Sequence, residues 1–542
     1  MKFIHYLMIT VLLFSCTGKK EDGVLTLGII KGVSSLDPAK AFDGKSLKLI
    51  GQSYEPLYQY HYQIRPFKII PLLADGMPEW NGDGTVLTIK IKKGVRYHDH
   101  PVFKGKPRYV KALDFINQLE RIKLGPGKSY FNVIKKVKIL DDHTLRFDLK
   151  KKMPNFSYYL TMNFLVPLPL EVIENVDLEK EVVGTGPFYF SEINKGVRFV
   201  LKKFKYFRKE LYPERGDRFA NMNKLLTSAN KPLPFLNKIV FLGFDNGDQI
   251  WKKFIAGELD VVEDIPFDRI DSILKKDGSL VDELEQKGLR LKRYSVLINR
   301  WLGMNMRDPL LGKNKNLRMA IAHAIDITAY NKLVRRNSSL QANSILTPGI
   351  GGYRPSHQLP YEYNIKKAKE FLAKAGYPGG RGLPSFTYYT RNKIKTGLME
   401  GKFFKEQLAS IGIKLSIYPL DFSEFLQKGR NGELQLWTDN WIYDFPEASN
   451  IFQLLSSKNT PGINKSGMKN REYDQKFSEL EGMQDGREKN KKIRELELIF
   501  DHEVPWIMLS YERSLVLLTK DIKNYRKSGV IRNYFKYLTK EK

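Results

Sequence analysis

The sequence predicts an α/β protein of two or three lobes, and three observations carry that expectation. Its 542 residues, 42% hydrophobic and 12% aromatic, are too many for one compact domain of roughly 100–200 residues. Period-two alternation of apolar and polar residues marks the first half, between about 55 and 180. The second half reads instead as strand, amphipathic helix and strand, the pattern of sheets with crossover helices. With 28 Tyr and 32 Phe, the chain has the apolar payload of a large core and not the composition of a disordered one.

The first segment is a leader. Lys2 precedes YLMITVLLF, residues 6–14, whereas a membrane-spanning helix needs about 20 apolar residues. The stretch is therefore the core of a signal peptide. The only cysteine, Cys16, follows Leu13, Phe14 and Ser15. That quartet resembles a bacterial lipoprotein signal, in which the cysteine becomes the lipidated first residue after cleavage. Phe14 departs from the small or aliphatic residue usual there, and the alternative is a chance cysteine in an ordinary secretory signal. Residues 1–15 are then the signal peptide and 16–23 a polar leash. The expected location is the periplasm or cell envelope, with the protein lipid-anchored to the membrane through Cys16. A mature chain beginning at Cys16 has no other thiol, no disulfide and no cysteine metal site.

The formal net charge is +30. Nucleic acid is the usual partner of such a chain, but an exported protein rarely meets it, and the lysines are spread rather than gathered in one stripe. Two readings stay open: a basic solvated surface, or a field that attracts anionic envelope surfaces and anionic ligands.

After the leash, VLTLGII reads as a buried strand and LDPAKAFD as a turn opening into a helix. Leu87, Ile89 and Ile91 alternate with Thr88, Lys90 and Lys92, and Leu145, Phe147 and Leu149 with Thr144, Arg146 and Asp148. These are half-exposed strands of an antiparallel lobe. IVFLGFDNGDQIWKKFIAGELDVVEDI reads as strand, helix and strand, and LRMAIAHAIDITAYNKLV as helical, with Leu317, Ala320, Ile321 and Ala324 on one face. Asn364 caps a further helix whose inner face is Ala368, Phe371, Leu372 and Ala375 and whose stop signal is Gly376. Ile411, Ile413, Leu415 and Ile417 alternate as a strand. Asp421 to Glu424 has capping-box spacing and opens a helix to about Lys428. Leu434 and Leu436 lie in a strand ending near Thr438.

TDNWIYDFPE then falls just past the carboxyl end of that strand, where ligand crevices form in parallel sheets. It carries one acid, Asp444, between Tyr443 and Phe445 and beside Trp441. Burying an unpaired carboxylate costs several kcal/mol, about, or neutralises it. Asp444 is therefore either on a cleft wall facing a cationic ligand or in a surface turn, capping local backbone.

No His-Glu-x-x-His, Gly-x-Ser-x-Gly or Cys-x-x-Cys motif occurs. Gly127-Lys128-Ser129 resembles the end of a phosphate loop, but the required first glycine falls on Ile122. His98-Asp99-His100 reads as a polar turn rather than a metal site, and Gly184-Thr185-Gly186-Pro187 as a tight turn into a strand. No carboxylate pair stands out as catalytic. The expectation is no enzyme, no metal and no cofactor.

Ordered blocks nonetheless identify a relationship: LDPAKAFD (36–43), SYEPLYQY (53–60), GTGPFYF (184–190), LPFLNKIVF (233–241), AGELDVV (256–262), KAKEFLAKAGYPG (367–379) and WIYDFPEASN (441–450). Together they resemble the family 5 extracellular solute-binding proteins, which include the dipeptide- and oligopeptide-binding components of bacterial ABC importers. The resemblance implies a periplasmic binding protein-like α/β fold of the class II type, with three lobes and a hinged ligand cleft. Lobe I is 24–53 with 184–295 and 508–542, lobe II is the β-rich insertion 54–183, and lobe III is 296–507. It implies a monomer that hands peptides to permease subunits in the inner membrane. In peptide-binding members the aspartate at Asp444 receives the ligand's α-ammonium. Backbone at Asn440 and Ile442 pairs with the extended peptide, Trp441 and Tyr443 belong to the same loop, and Val33 adds contacts from lobe I.

Some members carry basic residues for the ligand carboxylate at positions matching Gly429 and Thr438, and these are absent here. Arg430, Arg391 or Lys393 are the nearby substitutes. The charged stretch 209–234 is longer than the family's usual connection and reads as a surface excursion. Other cargo, such as a sugar, a metal chelate, an opine or a murein peptide, is compatible with the same fold. A basic surface lipoprotein that binds envelope polymers is the rival of a different class.

Overall fold

The computed structural model describes residues 22–263, 265–391 and 395–541. Cys16, the apolar stretch 6–14 and Lys393 lie outside the described residues. Among the described residues, no helix is long and apolar enough to cross a membrane.

Two long strands organise the molecule. Leu289–Met304 and Trp506–Thr519 run antiparallel, and one mixed sheet extends from both sides of the pair. On one side Val24–Ile30 lies between Lys238–Phe244 and Val261–Val262, parallel to both, with helix Gly247–Ile255 making the crossover. On the other side Phe386–Arg391 lies between Leu415–Leu420 and Leu436–Ile442, again in parallel. Buried aliphatic runs on these strands meet helices on the sheet faces, as parallel sheets require. A separate four-stranded antiparallel sheet holds Val86–Lys90 against Thr144–Leu149. There Leu87 opposes Phe147 and Ile89 opposes Leu145, all buried on one face. The fold is thus mixed α/β, with the alternating strands of residues 86–149 forming their own body.

Local chemistry explains most boundaries. Asp43 caps helix Gly44–Ile50, accepting from the amides of Lys45 and Ser46 at 3.0 and 3.1 Å. Asn364 caps Ile365–Lys374 through the Lys367 amide at 3.0 Å, and Gly376, at φ +93°, ends it. The helical stretch LRMAIAHAIDITAYNKLV forms two helices, Lys315–Ala324 and Ile327–Leu333. Asp326 accepts from the Ala329 amide at 2.8 Å and so starts the second helix inside an unbroken apolar pattern. Ile411 and Ile413 are buried in the turn after helix Lys395–Ala409, and the strand begins only at Leu415.

The stretch 209–234 is more than a surface excursion. Glu210 accepts from Lys536 Nζ at 2.6 Å, Asp217 from Arg526 Nη2 at 2.6 Å, and Tyr212 is buried. His98 is likewise buried rather than turned to solvent, with Nε2 2.9 Å from the Gly186 carbonyl oxygen. Among the described residues, no group of three or more His, Cys, Asp or Glu side chains is placed to hold a metal.

Gly184 and Gly186 let the chain cross residues 52–54 at backbone distance. A Cβ on Gly184 would lie 2.0 Å from the Ser53 carbonyl oxygen. Gly184→Ala is therefore expected to destabilise the protein by about 1–3 kcal/mol, the usual cost of overpacking. Gly82→Ala, which meets nothing within 4 Å, should stay within about 0.5 kcal/mol of the parent. Thermal melts of the two variants side by side check this, and equal melting temperatures would refute it.

Candidate ligand-binding cleft

The cleft begins where the two long strands stop matching. Ser295 opposes Arg513 and Asn299 opposes Tyr511, which leaves three residues, 296–298, against Glu512 alone. Such an excess bends a strand and interrupts its ladder. Residues 296–298 line a cavity of about 940 Å³, at the upper end of the roughly 300–1,000 Å³ usual for ligand sites. The bonding that leaves Trp506–Thr519 passes to Leu436–Ile442: Ile298 pairs with Ile442, and the Tyr443 amide donates to the Leu297 carbonyl at 3.0 Å.

That exchange extends the strand predicted to end near Thr438 to Ile442. TDNWI is therefore strand, and only YDFPE lies past its carboxyl end. Among the described residues, Leu436–Ile442 pairs with Phe386–Arg391 only at Leu436 and Trp437. Beyond Trp437 its ladder is with Leu289–Met304 alone. Asn440, Ile442, Tyr443 and Asp444 line the large cavity, and Ile442 is 60% exposed within it. Trp441 faces away, as strand alternation dictates. It lines adjoining cavities of about 140 and 330 Å³. Asp444 borders both the large cavity and the second of these.

One side chain holds this turn. The Asn450 carboxamide oxygen accepts from Trp441 Nε1 at 2.8 Å and from the Asp444 amide at 3.2 Å, while Nδ2 donates to Asp444 Oδ2 at 3.3 Å. Behind it Glu447 is buried and paired with Lys489 Nζ at 2.9 Å. Phe445 stacks on Tyr158, ring centroids 5.7 Å apart. Asp444 itself is open to the cleft but walled by protein. Loss of hydration raises its carboxyl above the ordinary carboxylate range, against hydrogen bonds from Asn450 and Tyr130 that lower it. Among the described residues, no cation contributes.

The other charges of the cleft divide into paired and unpaired. Glu512 accepts from Arg300 at 3.0 Å and from Arg335 at 2.6 Å. Burial alone would raise its carboxyl, but the two guanidinium groups hold it below the usual range. Burial also opposes ionisation of Glu263, where Lys48 and Lys527 prevail and hold the carboxyl well below its ordinary value. Arg513 donates to the Asn337 and Ser339 carbonyls at 2.9 and 3.2 Å. Arg532 also lines the cavity, and no sequence pattern marks it, since IRNYFKYLT has neither a helix nor a strand period.

The remaining expected residues lie elsewhere. Val33 is half-buried against the core that contains Leu25 and Leu27, and it is not among the lining residues. From that segment Phe42, Gly44 and Leu47 reach the cavity instead. Arg391 donates to Asn440 Oδ1 at 3.3 Å and lies 4.0 Å from Asp439, and neither it nor Arg430 lines the cavity. Thr438 is buried, its hydroxyl 2.6 Å from that of Tyr388.

A family model described as bacterial extracellular solute-binding proteins, family 5 Middle, matches residues 68–462. Heme-binding protein A of Haemophilus influenzae is 26% identical over 527 residues, covering 90% of this chain and 89% of its own. Glutathione-binding protein GsiB of Salmonella choleraesuis is 24% identical over 518 residues, covering 93% and 92%. Among solved structures, the periplasmic binding protein DppA of Helicobacter pylori, in complex with the peptide STSA, matches with a TM-score of 0.71 and 25% identity. It covers 96% of this chain and 98% of its own.

Because the Asp444 carboxyl titrates higher in the fold than in the unfolded chain, its ionisation works against the fold. That deficit is absent below the ordinary carboxylate range, grows through it and is constant above the raised value. Asp444→Asn should therefore raise the melting temperature of ligand-stripped protein near pH 7, and the two melts should converge near about pH 3. A variant that melts lower at neutral pH would show that the aspartate is already compensated.

Proposed function

Because the chain belongs to family 5 of the bacterial extracellular solute-binding proteins, we propose that it is the receptor of an ABC importer and that its cargo is peptides. The observation that carries this reading is the Asp444 carboxylate, without a cation among the described residues, at the end of a strand whose outer edge is unpaired by them past Trp437. A peptide supplies what both lack. Its α-ammonium would sit on Asp444, and its main chain would pair with Asn440 and Ile442 as an added strand, so that affinity comes from groups common to all peptides. Trp441 and Tyr443 wall the loop, and Val33 contributes from lobe I once the cleft closes.

In this reading lobe I (24–53, 184–295, 508–542), lobe II (54–183) and lobe III (296–507) close by bending at residues 296–298, where the strand ladder is already interrupted. The receptor is held at the membrane by a lipid on Cys16 and delivers its ligand to the permease without catalysing a reaction. The relatives named for heme, for glutathione and for a bound peptide share the fold. An ammonium-bearing ligand is the one that Asp444 favours.

The test is native mass spectrometry of residues 17–542 purified from peptide-rich lysate, followed by calorimetry. Bound masses that release peptides on unfolding are expected. Asp444→Ala should weaken binding by ~3–5 kcal/mol, roughly 10²–10³-fold, and N-acetylation of the peptide should cost the wild type a similar factor. Affinity in the cleft should fall only slightly with salt, whereas contacts made through exposed charge weaken steeply. A clean ligand-free mass that a mixed peptide library leaves unchanged would overturn the peptide reading in favour of another solute.

A further inference from the structure

We propose that Asn155 is the catch that holds the cleft shut over its ligand: the body built on the strands of residues 86–149 grips the second half of the chain by seating this amide between Glu447 and Lys489. The proposal rests on the reading of Asp444 as the ligand's anchor in a cleft that closes, and adds what sets the lifetime of the closed state.

Asn155 belongs to the antiparallel body. The next residue, Phe156, packs on Phe147 with ring centroids 5.7 Å apart, in the core that holds Leu87 and Ile89. The Asn155 side chain leaves that core and is buried against the other half of the molecule. Its Nδ2 donates to Glu447 Oε2 at 3.1 Å and to Ser449 Oγ at 3.4 Å, and its Oδ1 accepts from Lys489 Nζ at 3.3 Å. A carboxamide suits this place, because it offers a donor to the carboxylate of an ion pair and an acceptor to its ammonium. Around it Tyr158 donates to Asp485 Oδ2 at 3.4 Å, and Lys151 lies 3.7 Å from Glu481. Glu447 shares one short turn with Asp444. Between them Phe445 stacks on Tyr158 and meets Tyr159 edge-on, ring centroids 5.4 Å apart in the second pair. Tyr130, also of the antiparallel body, hydrogen-bonds Asp444 itself. A ligand on Asp444 is therefore held by the same turn that this body grips.

The chemistry of the two seams of this body differs. Toward the rest of the first half, buried Glu55 takes two bonds from Arg208, at 2.6 and 2.9 Å, and buried Asp37 pairs with Arg121. Parting either pair strands a buried charge, which is strongly unfavourable. At the Asn155 seam the charges are already matched on one side. Lys489 Nζ lies 2.9 Å from Glu447 Oε1 and donates to Asp485 Oδ1 at 2.9 Å. Both keep a partner when Asn155 withdraws, so opening here breaks hydrogen bonds and leaves the ion pair whole. The first seam is a fixed joint and the second is one that opens. Because the ligand enters through the opened seam, the catch acts on escape rather than on entry.

Stopped-flow binding of the tetrapeptide Ser-Thr-Ser-Ala to residues 17–542, which hold the whole described fold, compares wild type with Asn155→Leu. The variant keeps the side chain's size and loses its donors and acceptor. Dissociation should quicken by roughly 10–100-fold, the worth of hydrogen bonds to charged groups, with the association rate constant unchanged. A second arm leaves the buried network intact. Residues 17–542 contain no cysteine, and Lys151→Cys with Glu481→Cys, at side chains 61% and 40% exposed, accepts a bismaleimide bridge across the seam. Bridging after loading should trap the peptide, and bridging before loading should exclude it. If Asn155→Leu lowers the melting temperature but leaves both rate constants as they were, or if the bridged protein exchanges peptide freely, the seam is a fixed joint. The proposal then fails while the peptide reading stands. If the wild type does not bind the peptide, the peptide reading fails and the catch with it.

Discussion

The pairing of Leu289–Met304 with Trp506–Thr519 is the constraint on which the rest depends. One sheet grows from both sides of this pair, so the two α/β ends of the molecule share a single hydrogen-bonded framework. The ladder is irregular between Arg300 and Trp301 and again at residues 296–298 against Glu512, and the second of these is where the cavity opens. A β-bulge is usually a means of re-aiming side chains. Here it passes the strand's bonds to Leu436–Ile442 and so sets the position of the turn that carries Asp444. The site and the break in the ladder are the same feature.

The charges of the cleft follow from this geometry. Glu512 sits opposite the bulge and gathers Arg300 and Arg335 across the strands. Glu447 and Lys489 pair behind the turn. Among the described residues, these buried pairs leave Asp444 as the carboxylate that faces the cavity without a cation. Fully compensated polar networks rigidify a wall, while an uncompensated group is a demand on whatever enters. The cleft combines both on short stretches of chain.

How much of this was legible in the sequence depended on the range of the interaction. The caps at Asn364 and Asp43 and the alternating strands around Leu87 and Phe147 rest on near neighbours, and their patterns were readable. The strand Leu436–Ile442 was read as ending near Thr438 because its last residues hold their conformation only through pairing with residues 298–302. The break before Ile327 was hidden because one capping aspartate outweighed a continuous apolar face. Asp444 was noticeable as a lone acid among aromatics. Arg532 was not, since its setting is made by Gly51 and Gln52, the latter 480 positions away. The burial of residues 209–234 was missed for the same reason, because their partners Arg526 and Lys536 lie near the chain's far end.

That far end has a consequence for how the chain is made. The core around Leu25 and Leu27 includes Val516, Leu518, Tyr534 and Phe535. Tyr62 stacks on Tyr537 at 4.1 Å, and its hydroxyl donates to the Asn524 carbonyl at 2.7 Å. The first body to emerge in synthesis therefore cannot complete its interior until the last body has been made. A chain built this way stays open, with its amino-terminal third unfinished, until almost every residue has been added.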